Sequence, residues 1–104
     1  MTAVLTTLFS FNLTNGANPL GGLLADANGD LFGTTDAGGL NNNGTVFELV
    51  NNNGTYTLNT LVNFNGANGA YPNAGLIADA NGDLFGTTVE GGSNNLGTLF
   101  ARQQ

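Results

Sequence analysis

Two short acidic motifs contain the residues of this sequence best suited to chemistry. Oxygen-bearing side chains alternate in both motifs, as Asp26, Asn28 and Asp30 and again as Asp79, Asn81 and Asp83. Alternating oxygen ligands are typical of calcium loops, which also carry a glycine at the sixth position and a glutamate at the twelfth. Here the sixth residues are Leu31 and Leu84, and the twelfth are Ala37 and Glu90. Aspartate and asparagine also cap hairpin turns through side-chain to backbone hydrogen bonds, so turn formation is favoured and calcium stays an alternative.

The four aspartates of these motifs also have the residue type that hydrolyses glycosidic bonds in pairs. Nothing in the sequence would separate their pKa values. Aromatic side chains on which a sugar could stack are also few, since the chain has no tryptophan and only two tyrosines, Tyr56 and Tyr71. The chain contains neither histidine nor cysteine. It therefore has no imidazole base, no thiol nucleophile and none of the usual zinc ligands. We predict no enzymatic activity and no cofactor.

A pair of threonines follows each acidic motif and offers a candidate ligand site. The pairs are Thr34 with Thr35 and Thr87 with Thr88, each followed by two glycines. Hydroxyl groups beside flexible backbone are suited to binding a sugar or an anion at repeated positions. Strand threonines more often form hydrogen bonds within the protein. Glycan or small-ligand binding is therefore kept as an alternative function.

The charge balance argues against several partners. The net charge is −6, and Arg102 is the single basic residue. A chain with one cation cannot neutralise the phosphates of a nucleic acid or an anionic lipid surface. Its apolar runs are too short to span a bilayer, and the residues after Met1 do not predict a signal peptide.

An internal repeat organises the whole chain. Residues 24–35 recur almost unchanged as residues 77–88, and the flanking positions align without gaps. Upstream, Phe11 corresponds to Phe64, and downstream Phe47 corresponds to Phe100. Repeats of roughly 50 residues are typical of propellers, solenoids and arrays. We divide the chain into units at 1–53 and 54–104.

Each unit contains four predicted strands and no stretch of helical period. The strands are predicted at 4–11 and 57–64, at 22–26 and 75–79, at 30–35 and 83–88, and at 45–50 and 98–102. Asn-Gly between the second and third strand of each set is a strong hairpin signal. Apolar residues on both faces of these strands indicate sheets that are covered on both sides. The sequence predicts an all-β fold, a β-propeller of four-stranded antiparallel blades with two blades per chain.

The order of these strands predicts self-association. Strand 4–11 precedes the first complete set, and the second set lacks its outermost strand. An unpaired edge and uncovered apolar faces invite pairing with another copy, so strand 4–11 would complete the second blade of a neighbour. Such a head-to-tail contact closes into a ring, with a trimer or tetramer favoured and a larger ring allowed. The predicted assembly residues are Leu5, Leu8, Phe9, Phe11, Val46, Phe47, Leu99 and Phe100.

The repeat resembles the GloVer tandem repeat of bacterial choice-of-anchor surface proteins. The resemblance rests on Gly-Leu-(Leu/Ile)-Ala-Asp-Ala-Asn-Gly-Asp-Leu-Phe-Gly-Thr-Thr, then Gly-Gly, then Gly-Thr-(Val/Leu)-Phe, in both units. It implies an extracellular or surface-displayed origin and no catalytic residues. The second unit departs from the pattern, since Ala101 stands where the first unit has Glu48. We expect a structural module, either excised from a longer array or designed, with calcium-stabilised repeats as a further alternative.

Overall fold

The computed structural model describes residues 4–103 and contains β-strands but no helix in this range. Residues 1–3 and 104, at the outer ends of the two predicted units, lie outside the described residues. Seven strands are formed: β1 Leu24–Ala25, β2 Leu31–Thr35, β3 Thr45–Asn52, β4 Thr55–Asn63, β5 Ile77–Ala78, β6 Leu84–Thr88 and β7 Thr98–Arg102. The expected all-β class is therefore confirmed.

The first sheet is a four-stranded antiparallel meander in the order β1-β2-β3-β4. Its longest hairpin joins β3 to β4 through Asn53 and Gly54, whose φ angles are 56° and 92°. Two positive φ angles in a two-residue turn match the twist of the strands they connect. A bulge beside Val46 shifts the register, so that Val46 lies opposite Val62 and Phe47 opposite Thr60.

The second sheet has the order β5-β6-β7 and repeats the register of the first three strands. Leu84 lies opposite Arg102 and Thr88 opposite Thr98, as Leu31 lies opposite Leu49 in the first sheet. Among residues 4–103, the sheet therefore contains the equivalents of β1, β2 and β3, while β4 belongs to the first sheet.

The hydrophobic core lies between the two sheets. Val46 of the first sheet and Leu84 of the second are buried there, together with Phe64 and Leu76 from the chain that connects the sheets. Leu24, Phe32, Leu61, Val62 and Phe100 pack around this cluster. The connection is tied down further because the Thr34 hydroxyl donates to the carbonyl of Ala74 at 3.1 Å.

The structure differs from the sequence prediction at three strands. Residues 4–11 belong to no sheet within the described chain, although the equivalent residues form most of β4. The strands predicted at 22–26 and 75–79 shrink to two residues each. The C-terminal end of each is cut short because Asp26 or Asp79 begins a turn there.

Candidate functional site

The two acidic motifs form matching turns. One carboxylate oxygen of Asp26 accepts hydrogen bonds from the backbone N–H groups of Asn28 and Asp30, both at 2.9 Å. Asp79 accepts those of Asn81 and Asp83 at 2.9 and 3.0 Å. Gly29 and Gly82 adopt positive φ, while the preceding asparagines do not. The hairpins thus form where expected, and aspartate side chains rather than a left-handed Asn-Gly pair hold them closed.

A carboxylate cluster in the first unit involves a residue that the sequence analysis did not select. Carboxylate oxygens of Asp26, Asp30 and Glu48 lie within 4.8 Å of one another. Burial raises the pKa of the Glu48 carboxyl; a hydrogen bond from Asn59 opposes this effect, and the neighbouring carboxylates of Asp30 and Asp26 reinforce it. Glu48 joins the cluster from β3, across the sheet. The spacing of residues within the acidic motif cannot identify a residue on another strand. The sequence signal for Glu48 is the difference between the two units, because Ala101 occupies its position in the second unit.

The four threonines proposed as a ligand site have different surroundings. Thr34 and Thr35 are buried, and the Thr35 hydroxyl lies 2.8 Å from that of Thr45. Thr88 makes the same contact with Thr98 at 2.8 Å and also donates to the carbonyl of Glu90. Thr87 is exposed, although its equivalent Thr34 binds the carbonyl of Ala74. Three hydroxyls therefore support the fold, and Thr87 is the one of the four that faces solvent.

The outer surface of the first sheet is an apolar face, here called the first open face. It is formed by Leu23, Leu31, Phe47 and Leu49, with Leu8, Phe9 and Phe11 lying over part of it around a cavity of about 310 Å³. Phe11 packs edge-on against Phe47 with ring centroids 5.2 Å apart, and Phe9 packs against Phe11 at 5.1 Å. Leu23 is 63% exposed, so the face remains open beside these rings.

The outer surface of the second sheet is also apolar and is called the second open face. It is formed by Ile77, Phe85, Thr87 and Leu99, which line a cavity of about 260 Å³. Leu99 is 79% exposed and Ile77 is 69% exposed. Ala101 lies two residues beyond Leu99 and so shares its side of β7.

The two open faces are related to the intersheet core by the repeat. In the first sheet the equivalents of Ile77, Phe85 and Leu99 are Leu24, Phe32 and Val46, which are covered by the second sheet. In the second sheet the equivalents of Leu23, Leu31 and Phe47 are Leu76, Leu84 and Phe100. These three share the intersheet core with Leu24, Phe32 and Val46 of the first sheet. Among residues 4–103, the chain therefore carries both halves of its own core interface a second time without a partner sheet: the second open face is exposed at Leu99 and Ile77, and the first is partly covered by Phe9 and Phe11.

The predicted assembly residues fall into three groups in the structure. Leu5, Leu8 and Leu99 are substantially exposed, at 98%, 43% and 79%. Phe9 and Phe11 are half-buried and pack against each other, and Phe11 also packs against the buried Phe47. Val46 is fully buried and Phe100 packs beside it, so both lie in the core within one chain. The predicted assembly set does not include Ile77 or Phe85, which the repeat aligns with Leu24 and Phe32.

One edge of the second sheet has no strand on it in the described chain. β7 pairs with β6 on one side, whereas its equivalent β3 pairs with β2 on one side and β4 on the other. Residues 4–11 are the sequence equivalents of residues 57–64, which supply most of β4. The described residues thus contain an unpaired edge and a segment whose repeat counterpart covers such an edge.

Comparison with known proteins identifies the family. No curated protein and no solved structure matches the chain. Within residues 4–103 no helix is long and apolar enough to cross a membrane. A family model described as the Gloeobacter/Verrucomicrobia repeat matches residues 1–104, in agreement with the two repeated sheets. The chain therefore belongs to the Gloeobacter/Verrucomicrobia repeat family.

Proposed function

We propose that this protein is a non-enzymatic structural module whose copies join head to tail into a ring-shaped β-propeller. The observation that carries the proposal is the equivalence between the intersheet core and the two open faces. In the proposed contact the second open face of one copy packs on the first open face of the next, as the first sheet packs on the second within one chain. The occupant of each face is thus another copy.

The composition of the faces favours this contact over solvent. In the first unit the half-buried Glu48 lies on the side of β3 that carries Val46, whereas the second open face has Ala101 at that position. The first open face likewise has Leu49 where the second sheet has Arg102. Both charged positions of the intrachain interface are therefore apolar in the contact between copies, so the cost of partly removing these two charges from water does not arise there.

A hydroxyl group supports the same arrangement. Within the chain the Thr34 hydroxyl donates to the carbonyl of Ala74. The repeat equivalents are Thr87, which is exposed, and Gly21, beside the first open face. In the proposed contact Thr87 donates to the carbonyl of Gly21 in the next copy. This hydrogen bond would fix the position of one sheet relative to the other.

The unpaired edge of β7 receives residues 4–11 of the neighbouring copy in this proposal. The observed pairing of β3 with β4 gives the register directly, because Val46 lies opposite Val62 and Glu48 opposite Asn59. The equivalent pairs are Leu99 with Phe9 and Ala101 with Thr6. A bulge at Leu8 would correspond to that at Leu61. Backbone hydrogen bonds along an open edge then add to the apolar contact.

The contact uses different surfaces on the two copies, so it propagates in one direction until a ring closes. Propellers usually contain about four to eight blades, which favours a trimer or a tetramer. A trimer would contain about six blades and a tetramer about eight. We propose that the net charge of −6 per chain opposes association, so that salt favours the assembled form.

The mass of the particle in solution tests the proposal. Light scattering coupled to size-exclusion chromatography should give three or four times the chain mass of 10.5 kDa. The closed particle should keep one mass over a range of concentrations, since an open chain of contacts would instead keep growing. A folded species that stays at 10.5 kDa at high salt and high concentration would contradict the proposal.

A further inference from the structure

We propose that the cleft between the two sheets is a binding site for a small organic cation with an apolar body. The cleft has a volume of about 270 Å³ and lies where β1 and β5 enter their turns. It is distinct from both open faces and is present in a single chain. The proposal therefore does not depend on the ring.

The deep part of the cleft is apolar and incompletely filled. Leu84, which is 3% exposed, and the half-buried Leu24 and Phe32 line it, and they also belong to the intersheet core. The wall contributed by the second sheet is made of small residues, including Ala78. A hydrocarbon or aromatic group can therefore enter without displacing a large side chain, and its burial is favourable.

The outer part of the cleft carries negative charge only. The exposed Asp26 and Asp79 line it from opposite sheets, and no basic residue is among its lining residues. Each aspartate is fixed in place because one of its oxygens accepts two turn N–H groups, as described above. Carboxylates accept hydrogen bonds and repel anions. The complementary ligand is a protonated amine joined to a compact hydrocarbon, whose ammonium lies between the two carboxylates.

The repeat predicts a second cleft of the same kind at each contact between copies. This step rests on the proposed function. At a contact between copies, Ile77, Asp79 and Phe85 would replace Leu24, Asp26 and Phe32 on one wall. Asp26 and Leu31 of the next copy would replace Asp79 and Leu84 on the other. The residues are identical at these positions except that Ile77 takes the place of Leu24. A ring would thus have two clefts per chain and an isolated chain would have one.

Cyclohexylamine at neutral pH is a suitable probe, followed by amide chemical shifts in two-dimensional NMR. We expect saturable shifts at the amides of the cleft, with a Kd on the order of 1 mM for so small a ligand. Cyclohexanol and cyclohexanecarboxylate have the same body without the positive charge, and they should bind clearly more weakly. Equal binding of cyclohexanol, or no saturable shift from the amine, would overturn the proposal.

Variants separate the carboxylates of the cleft from general negative charge. Asp26→Asn and Asp79→Asn keep an oxygen that can accept the turn N–H groups, and each should weaken amine binding about two- to fivefold, as expected for an exposed charge pair. Glu90→Gln makes the same change of charge outside the cleft and should leave the Kd unchanged. A Kd that responds equally to all three variants would overturn the proposal. Two sites per ring-bound chain would support both proposals, whereas one site on a chain that stays at 10.5 kDa would support this one and contradict the ring.

Discussion

Replacing Leu99 with aspartate should abolish assembly while leaving the single chain folded. Leu99 is 79% exposed in the chain, and its equivalent Val46 is 0% exposed. Full burial of a leucine side chain contributes roughly 1.5–3 kcal/mol, so burying the exposed part of Leu99 contributes about 1.2–2.4 kcal/mol per contact. Its loss weakens each contact roughly 8- to 60-fold. This figure is a lower bound, because the aspartate also places a carboxylate against an apolar surface.

Leu40→Asp is the matched control for this variant. Leu40 is also 79% exposed, but it lies in the turn between β2 and β3 and on neither open face. Both variants change composition and charge identically. Sedimentation equilibrium should show assembled Leu40→Asp and single chains of Leu99→Asp, while circular dichroism at high dilution should show the same strand content. Leu99→Thr keeps a side chain that favours strands and should weaken assembly too.

Two results would refute this reasoning. If Leu99→Asp assembled as strongly as the parent chain, the second open face would not be part of the contact. If Leu40→Asp lost assembly to the same extent, added negative charge rather than lost burial would explain the effect. Each result is decided by mass alone and does not require the ring size to be known.

Three further predictions follow from the register, the carboxylate cluster and the turns. Thr6→Cys combined with Ala101→Cys should form interchain disulfides on oxidation, seen as multimers on a non-reducing gel, whereas Thr7→Cys with Ala101→Cys should not, because adjacent strand residues point to opposite faces. The raised pKa of Glu48 means that the folded state holds its proton more tightly than the unfolded chain, so this contribution to stability is present at acid pH and is lost as pH rises through the folded pKa. Glu48→Gln should therefore melt at a higher temperature than the parent at pH 7 but not at pH 3, with Glu90→Gln as the control; an unchanged difference between the two pH values would contradict this. Chelation with EDTA should leave the melting temperature unchanged, because backbone N–H groups already occupy an oxygen of Asp26 and of Asp79, and a clear fall would favour the calcium alternative.

The parts of the fold that depend on local chemistry were predictable from the sequence. The Asn53-Gly54 hairpin and the aspartate-capped turns occur where the turn residues indicate. The repeat required two similar sheets, and their strands share a register. These features are encoded within a few residues or by direct comparison of the two units.

The parts that depend on distant partners were not predictable. Glu48 meets Asp26 and Asp30 only because β3 lies beside β2 in one particular register. The exposure of Thr87 and the burial of Thr34 cannot be distinguished from two identical Gly-Thr-Thr sequences. The difference arises because, among residues 4–103, the first sheet is covered by the second on that side and the second sheet is not covered there.

The pairing of β3 with β4 has a consequence for how such repeats can vary in number. β4 is hydrogen-bonded into the first sheet, yet in the sequence it opens the second unit. A boundary between sequence units therefore does not coincide with a boundary between sheets, so adding or removing one unit also changes which strand completes the preceding sheet. If copies associate as proposed, arrays with different numbers of units would all use the same kind of contact.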